Sequence, residues 1–258
     1  MIYLGPAGVG GETLQGLQHI KDVGLNAVEI EFVRQVYMTN EVAKQAGALI
    51  KKLKLKTSIH APYFINLASE EKPKIHASIN RILQSCERGH YLGADYIVFH
   101  PGYYGKKNPT ETYEIIKNAI LDMQKTIKQK KWKVNLAPET TGKVSVFGNL
   151  DETLQLVKET KCHFTIDFAH LKARHQGKIN YPEIFDKIKN FPHIHAHFSG
   201  IEWSAKGERK HLLTTKQDLL PLLKEILKRK TDITIINESP DPLGDSLKTK
   251  ELLEEIKK

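Results

Sequence analysis

Residues 57–68 read T-S-I-H-A-P-Y-F-I-N-L-A. A short apolar run ends in His60, and a proline and a turn follow. This is the pattern of a buried strand whose last residue emerges at its carboxyl end. The arrangement recurs along the chain. I-V-F-H ends in His100, N-L-A-P-E in Glu139, F-T-I-D in Asp167, I-H-A-H in His197 and I-T-I-I-N-E in Glu238. Six consecutive strands each deliver a metal-capable side chain at the same end. Together they predict a ring of ligands converging on one place.

Strands are expected over residues 1–5, 26–32, 56–60, 95–100, 133–139, 163–167, 193–197 and 232–238. Helices are expected over 13–23, 40–53, 73–92, 110–130, 151–159, 181–189, 216–228 and 246–257. Thr13 is a candidate cap for the first helix, and Pro73 and Gly93 bracket the third. Strict alternation implies a parallel sheet. Eight units in 258 residues predict an α/β fold of one domain, a (β/α)8 TIM barrel over 1–258. The loops at the carboxyl ends of such strands build the active site. A doubly wound open sheet would not bring six strand ends into one cavity.

Composition fits a soluble protein, with 40% hydrophobic and 27% charged residues. No apolar run reaches the ~18–20 residues of a membrane span. The start, M-I-Y-L-G-P-A-G, is read as neither a signal peptide nor a lipidation signal, so a cytoplasmic location is expected, at the nucleoid if the cell is prokaryotic. Cys86 and Cys162 lack metal spacing and are expected buried and reduced. A net charge of +9 is compatible with a polyanionic partner and equally with a lysine-rich solvated surface.

His60, His100, Glu139, Asp167, His197 and Glu238 offer nitrogen and oxygen donors without a thiolate, a set suited to Zn²⁺, Mn²⁺ or Fe²⁺. About four such ligands satisfy one ion. The six, with the loop candidates His170 (three residues after Asp167), Glu208 and His211, exceed that need. Glu139, midway round the barrel, could bridge two ions. His193 and His195 are expected to pack or to support ligands; Glu29 and Glu31, at the end of the second strand, could each support a ligand, with a solvated carboxylate the favoured expectation.

The segments I-H-A-P-Y-F-I-N-L-A-S, V-F-H-P-G, P-E-T-T-G, I-D-F-A-H, H-F-S-G and N-E-S-P resemble the endonuclease IV family of apurinic/apyrimidinic endonucleases, in the right order along essentially the whole chain. The resemblance implies a (β/α)8 barrel with a trinuclear zinc centre. That activity cleaves double-stranded DNA 5′ to abasic sites and removes 3′ blocking groups. It further implies a cofactor of two or three Zn²⁺ ions, with Mn²⁺ as a substitute, and a monomeric protein. By motif, His60 and His100 bind one zinc, and Glu139 bridges it to a second completed by Asp167, His197 and Glu238. His170 binds the third, Glu139 orients the attacking hydroxide, and Tyr63 and Arg34 meet the DNA from the third and second βα loops.

The chain departs from the family in places. H-F-S-G stands for H-L-N-D, and E-T-T-G-K for E-N-T-A-G. The D-x-H of the third zinc becomes Gly207-Glu208-Arg209-Lys210-His211. Aligned without a gap, Lys210 replaces the histidine, and an ammonium has no lone pair. One residue of slack would bring His211 in, so a third site of His170, Glu208 and His211 is expected. The competing expectation is a two-metal site with Lys210 as the third positive charge. The main rival function is a single-metal sugar isomerase or epimerase of the xylose-isomerase-like superfamily, which needs only Glu139, Asp167, His197 and Glu238. A nucleic-acid-binding protein with a degenerate metal site is the third reading.

Overall fold

A computed structural model describes residues 1–257. In chain order the elements are β1 (Ile2–Pro6), α1 (Thr13–Asp22), β2 (Ala27–Glu31), α2 (Asn40–Leu53), β3 (Lys56–His60), α3 (Lys72–Leu92), β4 (Tyr96–Phe99), α4 (Pro109–Gln129) and β5 (Asn135–Pro138). There follow α5 (Leu150–Thr160), β6 (Thr165–Asp167), α6 (Phe168–Arg174), α7 (Tyr181–Ile188), β7 (Ile194–Phe198), β8 (Gly200–Ser204), β9 (Gly207–Leu212), α8 (Lys216–Arg229), β10 (Ile233–Asn237) and α9 (Pro242–Lys257).

Eight parallel strands form the wall, in two runs of four. One run has the order β2-β3-β4-β5, the other β1-β10-β7-β6. Single parallel bridges join the runs, Ala7 to Glu29 on one side and Glu139 to Thr165 on the other. Backbone hydrogen bonds complete the joints: Asn26 N–H donates to Leu4 O at 3.2 Å and Gly8 N–H to Glu29 O at 2.8 Å on one side, and His163 N–H donates to Leu136 O at 2.9 Å and Thr140 N–H to Thr165 O at 3.0 Å on the other. Strand residues are buried almost throughout, as in a sheet covered by helices. Both cysteines are free and buried. No helix among the described residues is long and apolar enough to cross a membrane.

Helix ends follow local chemistry. Pro73 opens α3, and Gly93 closes it in the left-handed region at φ 73°. Asn149 and Glu152 form a reciprocal capping box on α5. The cap of α1 is Glu12, whose carboxylate accepts from Gln15 N–H at 2.9 Å, not Thr13. The last helix starts at Pro242, four residues before the expected Ser246.

Two expectations about loops are corrected. His170 lies on the short helix α6, and residues 207–212 form a strand of the antiparallel hairpin β8–β9. The hairpin sits against the loop after β5. Gly207 is at φ 93°, and a Cβ there would come 2.2 Å from Gly142 O. A Cβ on Gly142 would lie 2.6 Å from Glu208 Cβ. Only glycine at both positions permits this approach.

Candidate metal centre

Each wall strand points alternate side chains inward, and the strand ends bring six ligand candidates to the carboxyl mouth of the barrel. His60 and Asp167 are the last residues of β3 and β6. His100, Glu139 and Glu238 each follow the last residue of β4, β5 and β10, and His197 lies one residue inside the end of β7.

Glu139 is the hub, with no exposed surface. Its Oε2 lies 3.2 Å from His60 Nε2 and 2.9 Å from His100 Nε2. Its Oε1 lies 3.1 Å from His170 Nδ1 and 3.4 Å from His197 Nδ1. His197 Nδ1 is also 3.1 Å from Glu238 Oε1. His60 Nδ1 donates to the Ala61 carbonyl at 2.7 Å, which aims Nε2 at the hub.

Asp167 divides its carboxylate between fold and site. Oδ1 caps α6 by accepting from His170 N–H at 2.7 Å, while Oδ2 is buried without a hydrogen-bond partner. His170 Nδ1 donates to the Thr140 carbonyl at 2.9 Å, so Nε2 faces outward. There it meets His211 Nε2 at 3.3 Å and Glu208 Oε2 at 3.5 Å. His211 Nδ1 lies 3.1 Å from the Glu238 carbonyl, the acceptor that turns its Nε2 toward His170.

A β-bulge decides which hairpin residues reach this point. Ile201 pairs with His211, Glu202 with Lys210, and Trp203 with Glu208, leaving Arg209 as the extra residue. The extra residue inverts the alternation, so Glu208 and His211 share a face although three positions apart. Lys210 takes the other face, where it pairs with Glu202 at 3.3 Å and is two-thirds exposed.

The electrostatics are those of an acid-rich cavity. Burial opposes the ionisation of Glu139, but His100 and His197 hold it well below the usual carboxylate range. Glu238 is likewise lowered to about 2, burial being outweighed by His197. Asp167 is raised by burial and by Glu238 and Glu139, against the pull of His170.

Residues able to hold cations form overlapping groups: His60, His100 and Glu139; Glu139, Asp167, His197 and Glu238; Asp167, His170 and His211. The donors are nitrogen and oxygen with no sulfur, which fits zinc or manganese. Glu139 Oε1, Asp167 Oδ2 and His197 Nδ1 are buried without hydrogen-bond partners and face one another. Bare polar atoms of this kind are costly unless something fills the space between them. The two imidazole Nε2 atoms at 3.3 Å share a proton as a hydrogen bond in the metal-free protein, and the same two nitrogens are placed to share a cation instead. The donor set therefore fits divalent metal ions.

The mouth opens into a cavity of about 420 Å³ lined in part by Glu31, His60, Tyr63, His100, Glu208 and His211. A larger groove of about 780 Å³ near α5 and α7 contains none of these ligands. Tyr63 lies half exposed at the rim, its ring 5.5 Å from that of His60. Arg34 is exposed in the loop after β2. Tyr37, Phe64 and Tyr103, on the loops after β2, β3 and β4, are also at least half exposed.

The expected solvation of Glu29 is corrected: it is fully buried inside the barrel. Glu31 is part-buried at the cavity wall, and its Oε1 is buried without a partner. Period-two alternation in A-V-E-I-E placed both on the inward face, and that was the available signal.

A family model for the xylose isomerase-like TIM barrel matches residues 17–258. An uncharacterised protein of Methanocaldococcus jannaschii is 35% identical over 257 residues, covering 93% of this chain and 92% of that one. The probable endonuclease 4 of Aster yellows witches'-broom phytoplasma is 34% identical over 164 residues, 58% of this chain and 55% of its own length. The matched stretch thus spans about half of that relative. In three dimensions the fold is similar to endonuclease IV from Thermus thermophilus, with a TM-score of 0.75 at 21% identity over 99% of both chains. A D-tagatose 3-epimerase-like protein is nearly as similar, with a TM-score of 0.74 at 20% identity over 97% of this chain and 95% of that one. Fold likeness thus extends to both proteins, while part of the sequence is similar to a probable endonuclease 4: the chain belongs to the xylose isomerase-like TIM barrel family.

Proposed function

We propose that this protein is a metal-dependent phosphodiesterase that hydrolyses double-stranded DNA 5′ to abasic sites and removes 3′ blocking groups. The observation that carries the reading is the surplus of ligands. Glu139, Asp167, His197 and Glu238 would satisfy one cation by themselves. His60 and His100 on one side of Glu139, and His170, His211 and Glu208 on the other, have no use in a one-cation site.

In this reading His60, His100 and Glu139 hold one ion, and Glu139, Asp167, His197 and Glu238 a second. His170, Glu208 and His211 hold a third, with the hairpin bulge supplying the slack that E-R-K-H needs. When bound, Zn²⁺ or Mn²⁺ supplies Lewis acidity that polarises a phosphoryl oxygen and eases proton loss from water at neutral pH. Glu139 fixes the spacing of the ligands on either side of it. Tyr63 and Arg34 would meet the DNA at the rim, where exposed aromatic rings offer faces to unstacked bases. An abasic nucleotide has no base to unstack, so drawing it to the cavity costs less than flipping an intact one. The +9 charge supports binding to phosphates.

The rival is a single-metal sugar epimerase, supported by the self-sufficient group of four and by the epimerase-like neighbour in structure. Incubating zinc-loaded protein with a labelled duplex carrying one abasic analogue separates the two. Incision 5′ to the lesion is expected, blocked by a strong chelator and restored by Zn²⁺ or Mn²⁺. Undiminished cleavage by fully metal-depleted protein would rule out the metal mechanism. A metal content near one per chain with no incision would favour the epimerase.

A further inference from the structure

Beneath the ligands lies a carboxylate that the proposed reaction does not use. Glu29, on β2, has no exposed surface. Ser58, its register partner on β3, donates to Oε2 at 2.6 Å. From β7, His195 Nε2 lies 2.9 Å from the same oxygen, and His197 Nε2 lies 2.9 Å from Oε1, a contact of ion-pair length in which neither atom has hydrogen-bond geometry. One carboxylate therefore meets two imidazoles and a hydroxyl in the barrel interior, where branched apolar side chains are the ordinary filling. The other nitrogen of His197, Nδ1, points up to Glu238 Oε1 at 3.1 Å and Glu139 Oε1 at 3.4 Å.

We propose that Glu29 is a positioning residue for the metal centre: its carboxylate, 2.9 Å from His197 Nε2, favours a proton on that nitrogen by its charge, so that the imidazole presents a lone pair on Nδ1 between Glu139 and Glu238. The inference rests on the metal-centre reading given above. A neutral imidazole carries one N–H and one lone pair. With no carboxylate below, the proton would settle on Nδ1, where two carboxylates attract it, and the ring would be closed to a cation. Glu29 reverses that preference, and Ser58 and His195 hold its carboxylate in place. Carboxylate–histidine–metal relays of this type orient the ring and raise its basicity.

Two measurements test the role. In full-length protein labelled with ¹⁵N-histidine and loaded with ¹¹³Cd²⁺, His197 should keep its proton on Nε2 and couple to cadmium through Nδ1. Coupling through Nε2 would overturn the proposal whether or not any variant folds. Glu29→Gln keeps the shape but offers an amide N–H as readily as an oxygen. It should weaken cadmium binding at the position that includes His197 by roughly 10–100-fold, leave the other positions unchanged, and keep the near-ultraviolet circular dichroism of the wild type. Unchanged affinity in a folded Glu29→Gln protein refutes the role of Glu29 alone. A wild-type protein that binds no divalent cation overturns the metal-centre reading and this role with it.

Discussion

Filling the centre with divalent cations should expel about three protons near neutral pH. Three ring systems carry the effect. Burial opposes a charge on His60, but its hydrogen bond to Glu139 and the negative charges of Glu139 and Glu29 outweigh burial and push it up to about 10. His170 and His197 also rise well above the ordinary value of 6.5. Burial opposes them too, yet Asp167 and Glu139 keep the first charged, and Glu238, Glu29 and Glu139 the second. A cation needs each ring as a lone pair, so each must give up a proton. Three protons make the logarithm of the overall loading constant rise by about 3 per pH unit, or ~4 kcal/mol per unit at ~1.36 kcal/mol per proton. The slope should lessen as pH approaches about 10, where His60 is losing its proton even without metal. Calorimetric titration with Zn²⁺, in buffers of different protonation enthalpy and weak metal affinity, counts the protons directly. A count below about one, or an affinity flat between about pH 6 and 8, would refute the claim that imidazolium–carboxylate pairs hold the metal-free pocket together.

Four further outcomes follow from the same geometry. Glu139→Gln should fold, by circular dichroism, yet lose metal and at least ~100-fold in turnover on abasic duplex; turnover near wild type excludes the bridging role. His211→Ala should lose one equivalent of metal by elemental analysis while Lys210→Ala keeps it, because Lys210 pairs with Glu202 on the opposite face; unchanged metal in His211→Ala together with turnover abolished in Lys210→Ala supports charge substitution by Lys210. Glu31 is raised from 4.5 to about 8, by burial and by the charges of Glu29 and Glu238 against the pull of His60. The folded metal-free chain therefore keeps a proton that the unfolded chain loses above about pH 4.5, and this group makes stability fall as pH rises toward about 8. Between pH 5 and 8, then, urea midpoints of metal-free Glu31→Gln should gain on the wild type, and a constant gap contradicts this. Affinity for abasic duplex should fall with salt with a log–log slope of about −0.9 per phosphate neutralised, and a flat response removes the argument from charge.

The barrel was legible because six of its eight wall strands are short runs ended by a His, Asp or Glu. The six strand-end ligand candidates were legible for the same reason, and the structure gathers the other five around Glu139. What was not legible depends on contacts distant in sequence. Glu29 reads as a solvated carboxylate until β7 brings His195 and His197 against it, 166 residues away in the case of His195. The hairpin reads as a loop because its bulge breaks the period-two pattern at Arg209. α6 is only seven residues long, too short for a helical period to stand out from D-F-A-H.

The two single-bridge joints in the wall have a mechanical consequence. His60, His100 and Glu139 belong to the half-barrel β2-β3-β4-β5, and Asp167, His197 and Glu238 to the half β1-β10-β7-β6. One joint is made at Glu139 and the other at Glu29. A cation gripped by Glu139 on one side and by Asp167, His197 and Glu238 on the other would act as a rivet between two halves that backbone hydrogen bonds join at fewer points than they join the strands within each half. Hydrogen exchange should register that rivet at the joint amides, Gly8 and Thr140. Both should exchange through opening of a seam in the metal-free protein, and only with unfolding of the whole barrel once the centre is filled.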